Sequence, residues 1–484
     1  MIGRDPEQSR LMQFINSGDR GATLGIVWGR RRVGKSFLLE GLAEQTGGFY
    51  FHATRGSSAE ALRDLGERLG LHQNVGAPLA FPDWDRAIEA LMALGRERET
   101  LVVLDEFPYL LEHTPELDSI IQRAFGPRHA ARTSSRARVV LCGSAISVMS
   151  KLLSGTAPLR GRAGIDLRVL PFDFRTARQL HDITHLPTAV ATYAVIGGVA
   201  AYACEMSEND RPIDSADFTR WICRRVLSPA APLFSEIELL LSEDPETSKA
   251  RKLNLYHATL AAVAQGHHAW NSICNYVKAP GTSLVPIINA LVAAALIDRV
   301  DDPMRDKRPT YHPADSLLRF HYAILRRHQS RLARHDANTA ALWTDIEPTF
   351  RSLVLGPSFE AMARFWTQQF ASRSTLGGAP DYVGTTTLAL AHGQEQEVDV
   401  VVALNDGATP ADRTVIALGE AKVGETITLR HVEQLEQARK AIGARGGGAK
   451  LLLFGCEFAE QVLDAAASRP DIELIDFERL YTGA

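Results

Sequence analysis

The eight residues Gly29, Arg30, Arg31, Arg32, Val33, Gly34, Lys35 and Ser36 match the pattern G-x-x-x-x-G-K-[ST] without a mismatch, and their flanks admit one kind of supersecondary unit. The apolar run Leu24 to Trp28 reads as a buried strand leading into the turn. Behind it, Lys35 to Gln45 carries Phe37, Leu38, Leu39 and Leu42 at helical spacing, and Gly47-Gly48 stops the helix. Strand, glycine-rich turn and helix in that order wrap backbone amides and a helix N-terminus around a triphosphate. Lys35 then reaches the outer phosphates, and the Ser36 hydroxyl is available to Mg²⁺. A glycine-rich turn without function would not need all of these parts. ATP and Mg²⁺ are the ligands this unit predicts.

The run Leu101 to Leu104 followed by Asp105-Glu106 is a hydrophobic strand ending in two carboxylates. After a phosphate loop, Asp105 is expected to hold Mg²⁺ through water and Glu106 to orient or deprotonate the attacking water. A further strand, Val139 to Gly143, ends at Ser144, which suits a polar sensor of the γ-phosphate or the cap of the next helix. The side chains of Arg30, Arg31 and Arg32 are expected to be exposed or partner-facing.

Candidate strands at 24–28, 49–52, 101–104, 138–142 and 165–170 alternate with helices, which predicts a parallel sheet covered on both faces. A strand at 49–52, between the phosphate-loop strand and the Asp-Glu strand, points to the ATPase class with an additional strand rather than the kinase-like class. At 484 residues about three domains are expected. The net charge of −4 excludes a uniformly basic nucleic-acid-coating protein while permitting local basic surfaces. Cys142, Cys204, Cys223, Cys274 and Cys456 are scattered without a C-x-x-C pair, so neither zinc nor a disulfide framework is indicated. The chain shows no signal peptide and no long apolar run, so a cytoplasmic protein without membrane contact is expected.

Beyond a helical stretch that reads as a lid, residues 253–322 read as a winged helix. Helices near 253–265, 269–278 and 284–296 precede two short strands, 296–300 and 309–312, around a charged tip at 301–308. Such modules read DNA through the third helix. Here Ser283 to Leu296 carries no Arg or Lys, so the module reads as a packing or partner surface rather than a sequence reader.

The motifs together resemble the archaeal-type ATPase family, a branch of the signalling and AAA-like ATPases that joins an ATPase, a winged helix and a C-terminal restriction-endonuclease-like domain. Ile2 to Glu7 is similar to its opening "hydrophobic-G-R-x-x-E" box, placed beside the adenine. Ala157 to Arg162 resembles its "S-P-L-Y-G-R" turn, and Arg162 matches the arginine. Tyr193 to Tyr202 resembles "Y-x-x-x-G-G-x-P-x-Y" with Ala200 in place of proline, and Asp315 to Phe320 resembles "D-x-x-L-R-F". Arg162 reads equally as an arginine finger or as a helix-start ion-pair residue.

In the C-terminal region, Val398 to Val402 is an apolar strand interrupted by Asp399, and Thr414 to Lys422 is a strand ending in Glu420-Ala421-Lys422. Glu420 and Lys422 are two apart and share a face, and Asn405-Asp406-Gly407 signals a turn that pairs the strands. This is the D…E-x-K arrangement of PD-(D/E)xK phosphodiesterases. Asp399 and Glu420 would hold Mg²⁺ or Mn²⁺, and Lys422 would orient water or neutralise developing charge. The resemblance adds Glu360 on the first core helix, and Gln434 follows on a later one. The plain alternatives are a surface ion pair on adjacent strands, or a nuclease fold used for binding alone. Arg326, Arg327, His328, Arg331, Arg334 and His335 form a basic stretch that suits a phosphate backbone or a solvated linker.

The expected fold is therefore α/β: a phosphate-loop ATPase core (1–175), a helical lid (176–245), a winged helix (246–330), a basic linker (331–349) and an α/β nuclease-like domain (350–484). The expected function is ATP hydrolysis coupled to metal-dependent phosphodiester cleavage, with nucleic acid as partner, DNA before RNA, and a homo-oligomer allowed. The resemblance adds mobile-element control or phage defence. The alternative is a nucleotide-dependent switch that gathers partners and cuts nothing.

Overall fold

The computed structural model describes residues 2–155, 157–243, 253–334, 338–390 and 393–484; His335 of the basic stretch and the expected 245/246 boundary lie outside them. The chain divides into two compact units. One holds Met1–Phe172 with Val199–Ala201, and the other holds Asp173–Gly198, Tyr202–Glu243 and the described residues from Leu253 to Ala484.

The first unit is built on a five-stranded parallel sheet: β1 (Thr23–Trp28), β2 (Phe49–His52), β3 (Thr100–Asp105), β4 (Ala137–Gly143) and β5 (Ala163–Arg168), in the order β2-β3-β4-β1-β5. The central strands β1, β3 and β4 read as continuous apolar runs because both of their faces are buried. Val102, Leu104, Val139 and Leu141 enter one core, while Leu101, Val103, Val140 and Cys142 enter the other with Leu38, Leu39 and Leu42 of helix Lys35–Thr46. The expected additional strand exists, but it is β4 that separates β1 from β3. Phe49–His52, the strand the sequence offered for that place, is an edge strand beside β3. A parallel crossover sets spatial order independently of chain order, so position along the chain misassigned it.

The second unit contains the expected helical stretch as helices Phe174–His181, Leu186–Ile196, Ser215–Arg225 and Pro232–Glu243. Three helices follow, Leu253–Ala264, Trp270–Val277 and Gly281–Ala293, and then an antiparallel hairpin of β6 (Ile297–Val300) and β7 (Thr310–Pro313). The third helix buries Leu284, Ile287, Ile288 and Leu291 against the first helix and β6 of its own module. Thr282, Ser283, Val285, Pro286 and Asn289 face outward, so its exposed side carries no charge. Within 331–349, expected as a linker, lies helix Thr339–Phe350. Its Leu342, Trp343, Ile346 and Phe350 are buried, and Trp343 and Phe350 meet Phe218 ring to ring.

The C-terminal part is a mixed sheet of β8 (Tyr382–Ala389), β9 (Glu395–Ala403), β10 (Val415–Ile427), β11 (Lys450–Phe458) and β12 (Ile472–Ile475), ordered β12-β11-β10-β9-β8. β8, β9 and β10 are antiparallel neighbours, whereas β10, β11 and β12 run parallel. Helix Leu429–Ile442 covers one face through Val432, Leu435 and Ala438 over Leu418, Leu451 and Leu453. Helix Gly356–Gln369 lies on the opposite face, where Trp366 meets Phe454 edge to face.

Candidate active sites

In the first unit the loop from Gly29 to Ser36 joins β1 to helix Lys35–Thr46, as the pattern requires. Gly34 has φ +91°, a left-handed conformation that a side chain resists. At Gly29 a Cβ would stand 2.2 Å from the Val169 carbonyl, so only glycine fits against the strand end. Lys35 is buried, and its ammonium donates to the Arg30 carbonyl at 2.9 Å, folding it back over the loop. Arg30 is itself buried at 6% exposure, against the expectation that it is exposed or partner-facing; the loop turns its second residue inward, and Arg31 and Arg32 are half-buried. The opening box reaches the same loop. Arg4 donates to the Val33 carbonyl at 2.7 Å and to Glu7 at 2.8 Å, and its guanidinium lies 3.9 Å from the centre of the Phe172 ring.

Asp105 is fully buried at the end of β3. The Tyr50 hydroxyl donates to its Oδ2 at 2.6 Å, the His52 ring nitrogen lies 3.4 Å from the same oxygen, and the Glu106 amide donates to Oδ1 at 2.9 Å. Burial alone would raise the Asp105 pKa. Hydrogen bonds from His52, Cys142, Ser36 and Tyr50 outweigh it and hold the carboxyl well below its usual range. Tyr50 and His52 were missed in the sequence; the parallel register that sets His52 beside Asp105 brings them there. Glu106 has φ +50°, a left-handed conformation that carries strain in a non-glycine residue and turns the chain directly into helix Phe107–His113. Ser144 donates from its hydroxyl to Glu106 at 2.9 Å and 3.0 Å and from its amide at 3.4 Å, so it holds that carboxylate and does not cap the following helix. Arg162 donates to the Phe125 carbonyl at 3.5 Å.

A buried loop lysine, an ionised strand-end aspartate and a glutamate held by a polar strand-end serine form the layout of a nucleoside-triphosphatase. Residues 4–188 match the family model described as an ATPase domain predominantly from Archaea. An uncharacterized protein of Methanocaldococcus jannaschii is 23% identical over 331 residues, covering 67% of this chain and 68% of its own. Among solved structures, the Walker-type ATPase of Pyrococcus abyssi aligns with a TM-score of 0.50 at 21% identity, over 67% of this chain and 96% of that one. The Aeropyrum pernix ORC2 protein aligns at 0.43 with 15% identity, over 69% and 96%. The Pyrococcus likeness shows the fold of the ATPase domain, a parallel α/β sheet carrying a phosphate loop. Ser36 and the ionised Asp105 of this domain fit Mg²⁺, since one offers a hydroxyl and the other a carboxylate whose neighbours favour its charge.

In the second unit β9 and β10 bring Asp399, Glu420 and Lys422 together. Asp399 and Glu420 are each 7% exposed. The Lys422 ammonium lies 2.5 Å from Glu420 Oε1 and 3.4 Å from Asp399 Oδ2, and the Ala421 amide donates to Asp399 Oδ2 at 2.9 Å. From the covering helix, Arg364 donates to the Asp399 carbonyl at 2.9 Å. Loss of water and then the Asp399 charge push Glu360 up to about 7, and the same causes raise Glu420 and Glu397. Burial lowers the Lys422 pKa, but Asp399 and Glu420 outweigh it and raise the value above the ordinary one. Arg319, from the segment resembling "D-x-x-L-R-F", is buried, feels the Glu360 charge, and is pushed down to about 10 by burial. Gln434 meets the sheet through its carbonyl, which accepts from the Gln396 side chain at 2.9 Å.

The carboxylates Glu360, Glu397, Asp399 and Glu420 therefore outnumber the cations Lys422, Arg364 and Arg319 that act on them. Such an excess fits a divalent cation between Asp399 and Glu420. Among the described residues no set of three or more His, Cys, Asp or Glu is grouped to hold a metal ion, so protein side chains would supply only part of a coordination shell. The basic stretch is held at the surface: Arg326 lies over the Tyr322 ring and Arg331 pairs with Asp345 at 3.0 Å. No helix among the described residues is long and apolar enough to cross a membrane.

Proposed function

We propose that the protein couples ATP hydrolysis in its first unit to metal-dependent phosphodiester cleavage in its second, as a PD-(D/E)xK-type nuclease with a winged-helix module ahead of the nuclease-like domain. The carrying observation is the convergence of Asp399, Glu420 and Lys422 on adjacent strands within 3.4 Å of a shared ammonium. Mg²⁺ or Mn²⁺ held by Asp399 and Glu420 would supply a Lewis acid for the phosphoryl oxygen. Lys422 would then stand beside the attacked phosphate and offset the charge that develops there. At the nucleotide site Lys35 binds the outer phosphates, Glu106 takes a proton from the attacking water, and Ser144 fixes the orientation of Glu106. Arg162 remains the candidate for an arginine finger.

One observation favours the second reading, a nucleotide-dependent switch that binds nucleic acid or protein without cutting: Lys422 already contacts both carboxylates and offsets part of their charge. The test is cleavage of labelled DNA and RNA with Mg²⁺ or Mn²⁺, with and without ATP, by the full chain and by Asp399→Ala, Glu420→Ala and Lys422→Ala. Loss of cleavage by at least a thousandfold in the carboxylate variants, and in wild type with EDTA, supports the nuclease. Unchanged cleavage in those variants, or none by wild type under any nucleotide condition, leaves the switch.

A further inference from the structure

We propose that the cleft between the β6–β7 hairpin loop and the outer strands of the C-terminal sheet binds an unpaired nucleic-acid strand and leads its phosphodiester toward Asp399 and Glu420. The cleavage reading supplies the end point of this channel; its walls rest on separate observations.

The hairpin is not free to probe a DNA groove. Met304, just past its first strand, is 6% exposed and packs into the core of the C-terminal sheet with Leu388, Val398 and Val401. Asp302 accepts from the Thr386 hydroxyl at 2.8 Å, and Arg413 donates to the Pro303 carbonyl at 3.1 Å. At Gly384 a Cβ would stand 2.8 Å from the Pro303 ring, so β8 keeps a glycine where the loop presses on it. The tip is thus fastened to the sheet, and the third helix of the same module offers no charge for base or phosphate contacts.

What the fastened loop presents is a cleft of about 560 Å³ lined by Asp302, Arg305, Lys307 and Arg308 on one wall and by Thr385 to Thr387, Glu395 and Glu397 on the other. Lys307 and Arg308 are exposed and Arg305 half-buried. Lys307 has φ +56°, which holds this run in a tight turn rather than an extended strand. The cations all come from the hairpin; of the acids, Glu395 and Glu397 come from β9, while Asp302 of the hairpin is engaged by the Thr386 hydroxyl. Glu397 lies two residues from Asp399 on β9 and feels its charge, so the acidic end of the cleft is the end next to the candidate metal site. A phosphate chain gripped by the cations at one end therefore meets the cation-seeking carboxylates at the other.

Trp270, half-buried at the start of its helix, lines the same cleft. An indole face beside cationic side chains is the pairing used to hold single strands, where a base stacks and the backbone is neutralised. A base can stack there only when it is not paired. The cleft volume lies within the roughly 300–1,000 Å³ typical of small-ligand pockets, which suits one or two nucleotides and not a duplex.

The experiment measures fluorescence anisotropy of a labelled single-stranded oligonucleotide with the full chain in EDTA, where cleavage cannot interfere. The same sequence is run as DNA, as RNA and as duplex. Arg305→Gln, Lys307→Gln and Arg308→Gln combined should weaken single-strand binding at least tenfold and reduce the salt slope by up to about 2. Trp270→Ala should weaken it roughly five- to hundredfold without changing the slope, and Trp270→Phe should restore most of it. Unchanged circular dichroism and an unchanged urea-unfolding midpoint in all variants verify that they are folded. Wild-type strength in the triple variant, or no single-strand binding by wild type, overturns the inference, as does duplex binding tighter than single-strand binding. Cleft-dependent binding with no cleavage under any condition keeps the inference and sinks the nuclease. Cleavage that ignores the cleft variants does the reverse. The DNA and RNA arms decide which strand it takes.

Discussion

Two pairs of strand-end acids do different physical jobs in this chain. Asp105 and Glu106 are each held by hydrogen-bonding neighbours: His52, Tyr50 and the Glu106 amide on one, Ser144 on the other, while Lys35 is folded back onto a carbonyl. The negative charge of Asp105 is favoured before any ligand arrives. Asp399 and Glu420 sit instead with Glu360 and Glu397 in a crowd of acids, with Lys422 in direct contact, and three of the four carboxyls are pushed upward. Hydrogen-bond donors prepare the first site, and unrelieved like charge prepares the second. The first is ready for a proton-transfer role, whereas the second is a site under tension that a divalent cation would relax.

The largest effect that separates the two is the response to an isosteric amide. Glu106→Gln should leave nucleotide affinity intact and lower kcat for ATP hydrolysis by about 10²–10⁴, the usual contribution of a positioned base. Glu420→Gln should remove divalent-ion binding together with cleavage, because the lost charge is the ligand itself. Calorimetry with ATP and with Mn²⁺ on both variants reads the difference. Retained Mn²⁺ binding in Glu420→Gln would show that Glu420, like Glu106, does not hold the metal through its charge.

Next in size are opposite pH slopes of stability. Asp105 is held below its ordinary pKa, so its contribution is present above the unfolded value and is lost as pH falls through the folded one; Asp105→Asn should therefore destabilise at neutral pH and cost less toward acid. Glu360 is raised from 4.5 to about 7, so the folded state keeps a proton that the unfolded state releases, and stability drains away as pH rises across that window. Glu360→Gln should stabilise the metal-free protein at pH 8 on the order of 2–3 kcal/mol and change little at pH 4. Urea titrations of both variants at the two pH values would break the comparison if the slopes share a sign.

How much of this was legible in the sequence follows from the range of each interaction. The loop from Gly29 to Ser36, the Asp-Glu strand end and the D…E-x-K pair are local patterns, and the structure has each on the expected element. Tyr50 and His52 were invisible because nothing nearby in the chain says that β2 lies beside β3 in a register that pairs His52 with Asp105. The hairpin tip read only as the charged tip of a wing because its charges are local and its anchor is not: Met304 is buried by residues more than eighty positions later. Helix Thr339–Phe350 read as linker for the same reason, since the rings that bury Trp343 and Phe350 come from Phe218 and Phe320. In each case periodicity gave the element, and tertiary burial gave its meaning.

The smallest effect tests whether Tyr50 is a positioning residue for Asp105 or merely packs beside it. Its hydroxyl donates to Asp105 Oδ2 at 2.6 Å, and that bond, with those of His52, Cys142 and Ser36, keeps the carboxyl ionised despite full burial. Tyr50→Phe removes one donor and little volume. A hydrogen bond to a charged group contributes about 1.5–3 kcal/mol, so the Asp105 pKa should rise by about one to two units and stay below neutrality because the remaining donors persist. ATP hydrolysis at pH 8 should then change less than about threefold, while the acid limb of its pH–rate profile moves upward by the same one to two units. Adding Mg²⁺ should move the limb back, since the metal and the proton compete for one carboxylate. An uncompensated drop at every pH would assign Tyr50 a structural role, and an unmoved limb would mean that His52, Cys142 and Ser36 suffice. In the second unit the corresponding removal, Lys422→Ala, takes away a full charge rather than a dipole, and its effect should be far larger.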